Sequence, residues 1–354
     1  MYPRVSINLK KFRHNIKIIK DEMDSKDIEI FGVSKVFSGN PMIAKEFEWA
    51  GLKAVGESRI ENLKKLQALD VKKVLLRLPM HSEIQDLIEY ADISLNSEIK
   101  TMELISKEAA RRGKVHSVIL MIDFGDLREG FYNEDELFHA VKRSLSLEGV
   151  EVIGIGTNLT CFGAVIPKIS HMNRLVSIRN EIENRFGIQL KYISGGNSSS
   201  YYLIDHKDFP KEINNLRIGE IFVCGNETAF SNRVPNTYDD VFVLEAEIIE
   251  LKEKPSLPVG ESGVDAFGNK PVYIDKGNML RAICAIGRQD VGIDGLILMD
   301  DGIEILGGSS DHMILDVTNA KKQYKVGDTI KFKLKYGGIL AVMTSEYVKK
   351  VYVK

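Results

Sequence analysis

The chain has 354 residues, 44% of them hydrophobic, enough for a large barrel with an appendage or for two domains. Its 48 Lys plus Arg against 50 Asp plus Glu leave a net charge of −2, with no basic stripe for nucleic acid and no polybasic tail for a membrane surface. The three cysteines, Cys161, Cys224 and Cys284, are odd in number and far apart, which argues against a disulfide frame and for a reducing compartment.

The opening MYPRVSINLKKFRHNI lacks the apolar core of a signal peptide, and no stretch reaches the roughly 18–20 apolar residues of a spanning helix. A cytoplasmic protein is expected. RVSINL alternates like a strand and is expected to pair with the C-terminal part. From about residue 28 to residue 220, β-branched runs alternate with amphipathic helical stretches. Strands are predicted at 29–34, 52–58, 72–78, 91–96, 115–123, 150–157, 189–194 and 214–219. Helical period marks NPMIAKEFEWAGL, RIENLKKLQAL, EIKTMELISKEAARRG, EDELFHAVKRSLS and MNRLVSIRNEIENRFG between them. Eight such repeats are the arithmetic of a (β/α)8 barrel, although an open doubly wound sheet shares the rhythm. After about residue 240 the segments VFVLEAEIIELKEK, PVYIDKG, RAICAIGR, IEILGGSSDHMILDV, DTIKFKLKYGGILAVM and EYVKKVYVK read as strands separated by turns. The expected organisation is an α/β barrel over 1–235 and a β-rich domain over 236–354.

Chemistry in such a barrel sits at the C-terminal ends of the strands, so the residues after each strand form the site. After the first comes Ser34-Lys35; a partly desolvated lysine loses its proton more easily and can condense with a carbonyl, while the plain alternative is a surface lysine. After the fifth comes Asp123-Phe124-Gly125-Asp126-Leu127-Arg128-Glu129-Gly130, where Arg128 suits a substrate carboxylate or an ion pair with an acidic neighbour. After the sixth come Asn158 and Cys161; Asn158 could face a cofactor ring or be a satisfied loop amide. After the seventh, Ser194-Gly195-Gly196-Asn197-Ser198-Ser199-Ser200 has the glycines and hydroxyls of a phosphate cradle, or of a flexible loop. After the eighth comes Arg217-Ile218-Gly219-Glu220. The seven histidines show no metal-ligand spacing, and neither a G-x-S-x-G elbow nor a nucleotide P-loop occurs. A reactive lysine, a phosphate cradle and a carboxylate-binding arginine point to pyridoxal phosphate.

MIDFGDLREG, NLTCFGAVIPK, ISGGNSSSYYLID, LRIGE, EKPSLPVGESGVDAFGNKPVY and GGSSDHMILDV together resemble the alanine racemase superfamily, the fold-type III pyridoxal-phosphate enzymes, over nearly the whole chain. The resemblance implies that Lys35 holds the cofactor covalently and that Asn197 and Ser198 form the phosphate turn. It implies backbone N–H groups from Gly219 and Glu220 on the phosphate, Arg217 beside the pyridine nitrogen and Arg128 near the substrate carboxylate. It also implies a homodimer in which the C-terminal domain supplies site residues to a partner. Two departures stand out. AIGRQDVG puts Arg288 near the place of the family's acid–base tyrosine, and Asn158 stands where the family has a histidine.

Racemisation needs proton transfer on both faces of Cα. Lys35 is the base on one; for the other His312 is nominated first, because imidazole titrates near neutrality, and Cys161 second. Arg217 disfavours protonation of the ring nitrogen and so argues for a racemase over a decarboxylase, which remains the second reading. A non-catalytic pyridoxal-phosphate-binding protein is the third. The resemblance points to ornithine as substrate, with lysine admissible and alanine doubtful. Asp126, Glu129, Asp290 and Asp311 are candidates to meet a distal ammonium.

Overall fold

The computed structural model describes residues 1–264, 267–268, 270 and 272–353. They fall into two units, Lys11–Tyr238 and Met1–Lys10 with Asp239–Lys354. The first strand, β1 (Arg4–Asn8), belongs to the second of these.

The first unit is a closed parallel barrel of eight strands in sequence order. They are β2 (Glu29–Val33), β3 (Ala54–Glu57), β4 (Lys72–Leu75), β5 (Ile93–Asn96), β6 (His116–Ile122), β7 (Val150–Thr157), β8 (Tyr192–Asn197) and β9 (Asn215–Ile218). Closure comes from β9 pairing with β2, Leu216 beside Ile30. The open-sheet alternative is thereby excluded. Every residue of β3, β5 and β9 is buried, which is why these strands read as continuous runs instead of alternating ones. One set of side chains, Phe31, Ala54, Val74, Ile93, Ile119, Met121 and Tyr192, fills the barrel, so it is a core and not a pore. Phe31 and Tyr192 meet edge to face at 5.1 Å between ring centroids. The outward set, including Leu75, Leu120, Ile155 and Ile193, packs with helix residues Leu63, Ile105, Leu137 and Ile178.

Helix starts follow local chemistry. Asn40 caps Pro41–Trp49 by accepting from the N–H groups of Met42 and Ile43, with Pro41 in the first turn. Asn133 caps Glu134–Ser144, whose first turn is acidic and whose last turn carries Lys142 and Arg143, matching the helix dipole. No helix among the described residues is long and apolar enough to cross a membrane.

The second unit is a β-sheet built on β10 (Phe242–Pro255). With it run β11 (Asn278–Cys284), β12 (Leu296–Leu298), β13 (Glu304–Gly308), β14 (Met313–Asp316), β15 (Thr329–Leu334) and β16 (Lys349–Val353). β1 lies antiparallel to β10, Val5 beside Leu244, and parallel to β16. The sequence reading errs in two places here. Tyr336–Thr344 is a helix, not the continuation of a strand. Gly338 lets it press on the Gly295 carbonyl, which would lie 2.4 Å from a Cβ; that tertiary contact outweighs the β-like run ILAV. Val272–Gly277 of the predicted PVYIDKG strand form no strand, and Pro271 lies outside the described residues.

Candidate active site

Lys35 opens a single turn, Lys35–Phe37, directly after β2. The turn is pinned to β3: the Ser34 N–H donates to the Gly56 carbonyl at 2.9 Å and the Ser34 hydroxyl to Glu57 Oε2 at 3.0 Å. Val36 and Phe37 are buried below, and Lys35 itself is half-buried. Glu57 is fully buried. Burial pushes its carboxyl up, opposed by hydrogen bonds from Ser58, Ser34 and Asn62.

The ends of β7, β8 and β9 carry one connected polar network. Arg217 is buried on β9 and donates from Nη1 to the Ser194 hydroxyl at 2.5 Å. Its Nη2 donates to the Thr157 carbonyl at 2.6 Å and to Asn158 Oδ1 at 3.4 Å. Asn197 Nδ2 donates to Asn158 Oδ1 at 2.8 Å and lies 3.4 Å from Cys161 Sγ. Two donors on Oδ1 set the orientation of the Asn158 amide. Its Nδ2 and the Thr157 hydroxyl are buried without a partner among the described residues. Such groups are costly unless something else satisfies them. Burial pulls the Arg217 guanidinium down to about 10, with Glu129 and Cys161 opposing and Arg128 adding.

Two turns complete this side. Gly196 has φ +121°, and a Cβ there would sit 2.5 Å from the Ser200 hydroxyl, so only glycine suits the turn. Asn197 Oδ1 accepts from the Ser199 N–H at 2.7 Å, and the Gly219 N–H donates to the Ser198 hydroxyl at 3.4 Å, joining the turns after β8 and β9. Glu220 follows at the start of a short helix, Glu220–Cys224. Burial pushes its carboxyl up to about 7, against the charge of Lys35 and a hydrogen bond from Asn226.

The loops after β6 and β7 are tied together by Asp126. Its carboxylate accepts from the N–H groups of Thr160 at 3.0 Å, Cys161 at 3.0 Å, Phe162 at 2.9 Å and Val165 at 3.1 Å. Burial acts to raise its pKa, and these four donors overcome that and hold it below the usual carboxylate range. Asp126 is thus committed to main chain and is not open to a substrate ammonium. Leu127, Thr160 and Ala164 have φ between +53° and +62° in these same loops, backbone strain that the Asp126 bonds hold in place. Arg128 is paired with Glu129, Nη2 to Oε1 at 2.5 Å, the ion pair that was the alternative to a free carboxylate-binding arginine.

Arg288, Asp290, Asp311 and His312 belong to the antiparallel unit. The N–H groups of Arg288 and Gln289 donate to the carbonyls of Ser309 and Ser310 at 2.9 and 3.0 Å, which sets the two loops side by side. His312 Nδ1 lies 2.9 Å from Asp311 Oδ1, with both side chains largely in solvent. Asp290 is buried and accepts from the Ser345 hydroxyl at 2.6 Å. The sequence reading passed over Glu57 and did not foresee that Thr157 and Ser194 meet Arg217. Each ends or lines a barrel strand, so reading the last inward residue of each strand, and not only the loop after it, would have found them.

The alanine racemase N-terminal domain model matches residues 7–226. An ornithine racemase of Acetoanaerobium sticklandii is 49% identical over 350 residues, covering 99% of each chain. A lysine racemase of Thermotoga maritima is 39% identical over 357 residues, again covering 99% of each. Among solved structures, an alanine racemase of Clostridium difficile superposes with a TM-score of 0.74 at 19% identity, covering 100% of this chain and 96% of that one, which speaks to the fold alone. With a family segment spanning more than half its length and relatives aligned end to end, the chain belongs to the alanine racemase family.

Proposed function

We propose that the chain is a pyridoxal-phosphate-dependent amino-acid racemase that interconverts the enantiomers of ornithine. The observation that carries this reading is the barrel mouth: a lysine after β2, a buried guanidinium on β9, and two buried donors, Thr157 Oγ1 and Asn158 Nδ2, with no partner among the described residues. That set fits a polar ring with an anionic tail. Lys35 would hold the cofactor covalently; Asn197, Ser198 and the main-chain N–H groups of Gly219 and Glu220 would hold its phosphate, with Arg217 and Asn158 at the ring. When bound, the cofactor supplies an electron sink that acidifies the substrate Cα–H.

The remaining work falls to the chain's own groups. The Lys35 amine takes or returns the proton at Cα on one face. On the other face Cys161 is favoured over His312, because the Asn197 contact ties its sulfur into the mouth network. The fixed charge of Arg217 disfavours protonation of a neighbouring ring nitrogen, which keeps the sink weak and favours simple return of the proton over side reactions. Arg128 binds the substrate carboxylate by exchanging its Glu129 partner, leaving Glu129 for the distal ammonium; Asp311 is the alternative there. Arg288 is the residue of the antiparallel unit assigned to substrate binding. Lysine is a second substrate on the strength of the lysine racemase relative, since one methylene changes binding by only about 1–3 kcal/mol. The active form in this reading is a cytoplasmic homodimer.

The test uses purified protein loaded with cofactor and single enantiomers of ornithine, lysine, alanine and serine. Loss of optical rotation without CO2 release, fastest with ornithine, is expected. CO2 release would move the assignment to a decarboxylase. A bound cofactor with neither change would make the protein a carrier. Borohydride reduction is expected to leave the pyridoxyl group on Lys35, and its absence there sinks the site assignment.

A further inference from the structure

Ser194 sits two residues after Tyr192 on β8, so its side chain shares the inward face of the barrel with that ring. Asn215 is its cross-strand neighbour on β9, and Arg217, two residues on, shares that face. Ser194 and Asn215 are fully buried and Arg217 nearly so. Three hydrogen bonds make one chain of them: Arg217 Nη1 to the Ser194 hydroxyl at 2.5 Å, that hydroxyl to Asn215 Oδ1 at 2.5 Å, and Asn215 Nδ2 to the Glu29 carbonyl of β2 at 3.0 Å. The chemistry of the two ends fixes the direction of the middle. A guanidinium only donates and a main-chain carbonyl only accepts, so the Ser194 hydroxyl accepts from Arg217 and gives its single proton to Asn215. Gly156, beside Ser194 on β7, keeps the space clear: a Cβ there would sit 3.0 Å from Ser194 Cβ and 3.5 Å from Arg217 Nη1.

Resting on the racemase reading, which puts Arg217 at the cofactor ring, we propose that Ser194 and Asn215 are positioning residues: their hydrogen-bond chain holds the Arg217 guanidinium at the ring nitrogen. Both act through Arg217. The Thr157 carbonyl and Asn158 hold the second guanidinium nitrogen from the β7 side, so the group is clamped from two directions. Buried chains whose members are all satisfied stiffen the groups they join. With an apolar residue in place of Asn215, the Ser194 proton loses its acceptor, and turning it toward Arg217 would set two donors face to face. Asn215 therefore governs the guanidinium without meeting it.

The test is a double-mutant cycle read on cofactor affinity. Apoprotein is titrated with pyridoxal phosphate by fluorescence quenching for wild type, Ser194→Ala, Asn215→Leu and the double variant. Each single change is expected to weaken binding by about tenfold, the size of one hydrogen bond to a charged group, and the double variant by no more than either alone, because the chain is already cut. Asn215→Asp keeps an acceptor for the Ser194 hydroxyl and is expected to bind like wild type. A second readout is a ratio and so does not depend on how much protein folds: the share of ornithine turnovers that end in pyridoxamine phosphate instead of racemised product. It is expected to rise several-fold in Ser194→Ala and Asn215→Leu, because a loosened guanidinium no longer keeps a proton off the ring nitrogen. If Asn215→Leu does not fold, Ser194→Ala and Asn215→Asp carry the test. Affinity losses that add in the double variant, or an unchanged share in Ser194→Ala, overturn the inference while leaving the racemase reading intact. Failure of the wild-type apoprotein to bind pyridoxal phosphate overturns both.

Discussion

At the barrel mouth Arg217, Asn158 and Thr157 are buried, and their hydrogen bonds run between strands far apart in sequence, yet two donors find no partner among the described residues. In the antiparallel unit, Asp311 and His312 are neighbours in sequence, pair with each other and stay largely in solvent. Arg217, Asn158, Asp311 and His312 were all nominated from sequence for site roles. The difference in burial separates them physically. A buried donor without a partner costs free energy, so it calls for water or a ligand to satisfy it. An exposed acid–imidazole pair is already satisfied by water and by itself, and so marks nothing on its own.

The sharpest break of that contrast is kinetic. Cys161→Ala is expected to cut solvent-deuterium exchange at Cα from one enantiomer by about 10²–10⁴-fold, the usual range for losing a general acid–base group, while exchange from the other enantiomer persists. His312→Ala is expected to change either exchange rate by less than about tenfold. The reverse result would make the exposed pair of the antiparallel unit the functional one.

Next in size is the frame of the mouth. Asp126→Ala takes the charged acceptor from four main-chain donors and releases three residues held at positive φ. A loss on the order of 3 kcal/mol is expected in urea denaturation at neutral pH. The pH sign follows from the lowered carboxyl: its contribution is present above the ordinary carboxylate pKa and is lost as pH falls through the depressed folded-state value. The wild-type and Asp126→Ala curves should therefore converge in acid, and a gap that persists there would mean that the charge is not what holds the loops. The smallest effect is on the other side of the comparison. Asp311→Asn should leave the urea midpoint of unfolding unchanged at neutral pH, since it breaks one exposed pair. A lowered midpoint would show that the pair is structural after all.

How much was legible in the sequence differs between these regions for the same reason. Lys35 follows an apolar strand, and the GGNSSS turn and LRIGE overlap the ends of two others, so a rule about strand ends finds them without knowing the partners. Asp126 shows the limit: it reads as one acid among several in DFGDLREG, and its role depends on a loop more than thirty residues on, Thr160–Val165. Arg128 likewise carried two readings, and the structure shows the pairing with Glu129.

The sequence by itself determined the alternation of eight strands with helices, because burial on both faces of a parallel sheet writes continuous β-branched runs into the chain; closure into a barrel was decided by the pairing of β9 with β2. It also determined where the lysine and the glycine turns fall, since these depend on neighbours in the chain. Only the tertiary structure decided that Arg217 bridges Ser194, Thr157 and Asn158, that two donors have no partner among the described residues, and that Tyr336–Thr344 coils into a helix. Those outcomes arise when closure of the barrel, or packing against Gly295, brings distant residues together, and no local pattern encodes which distant group will be there.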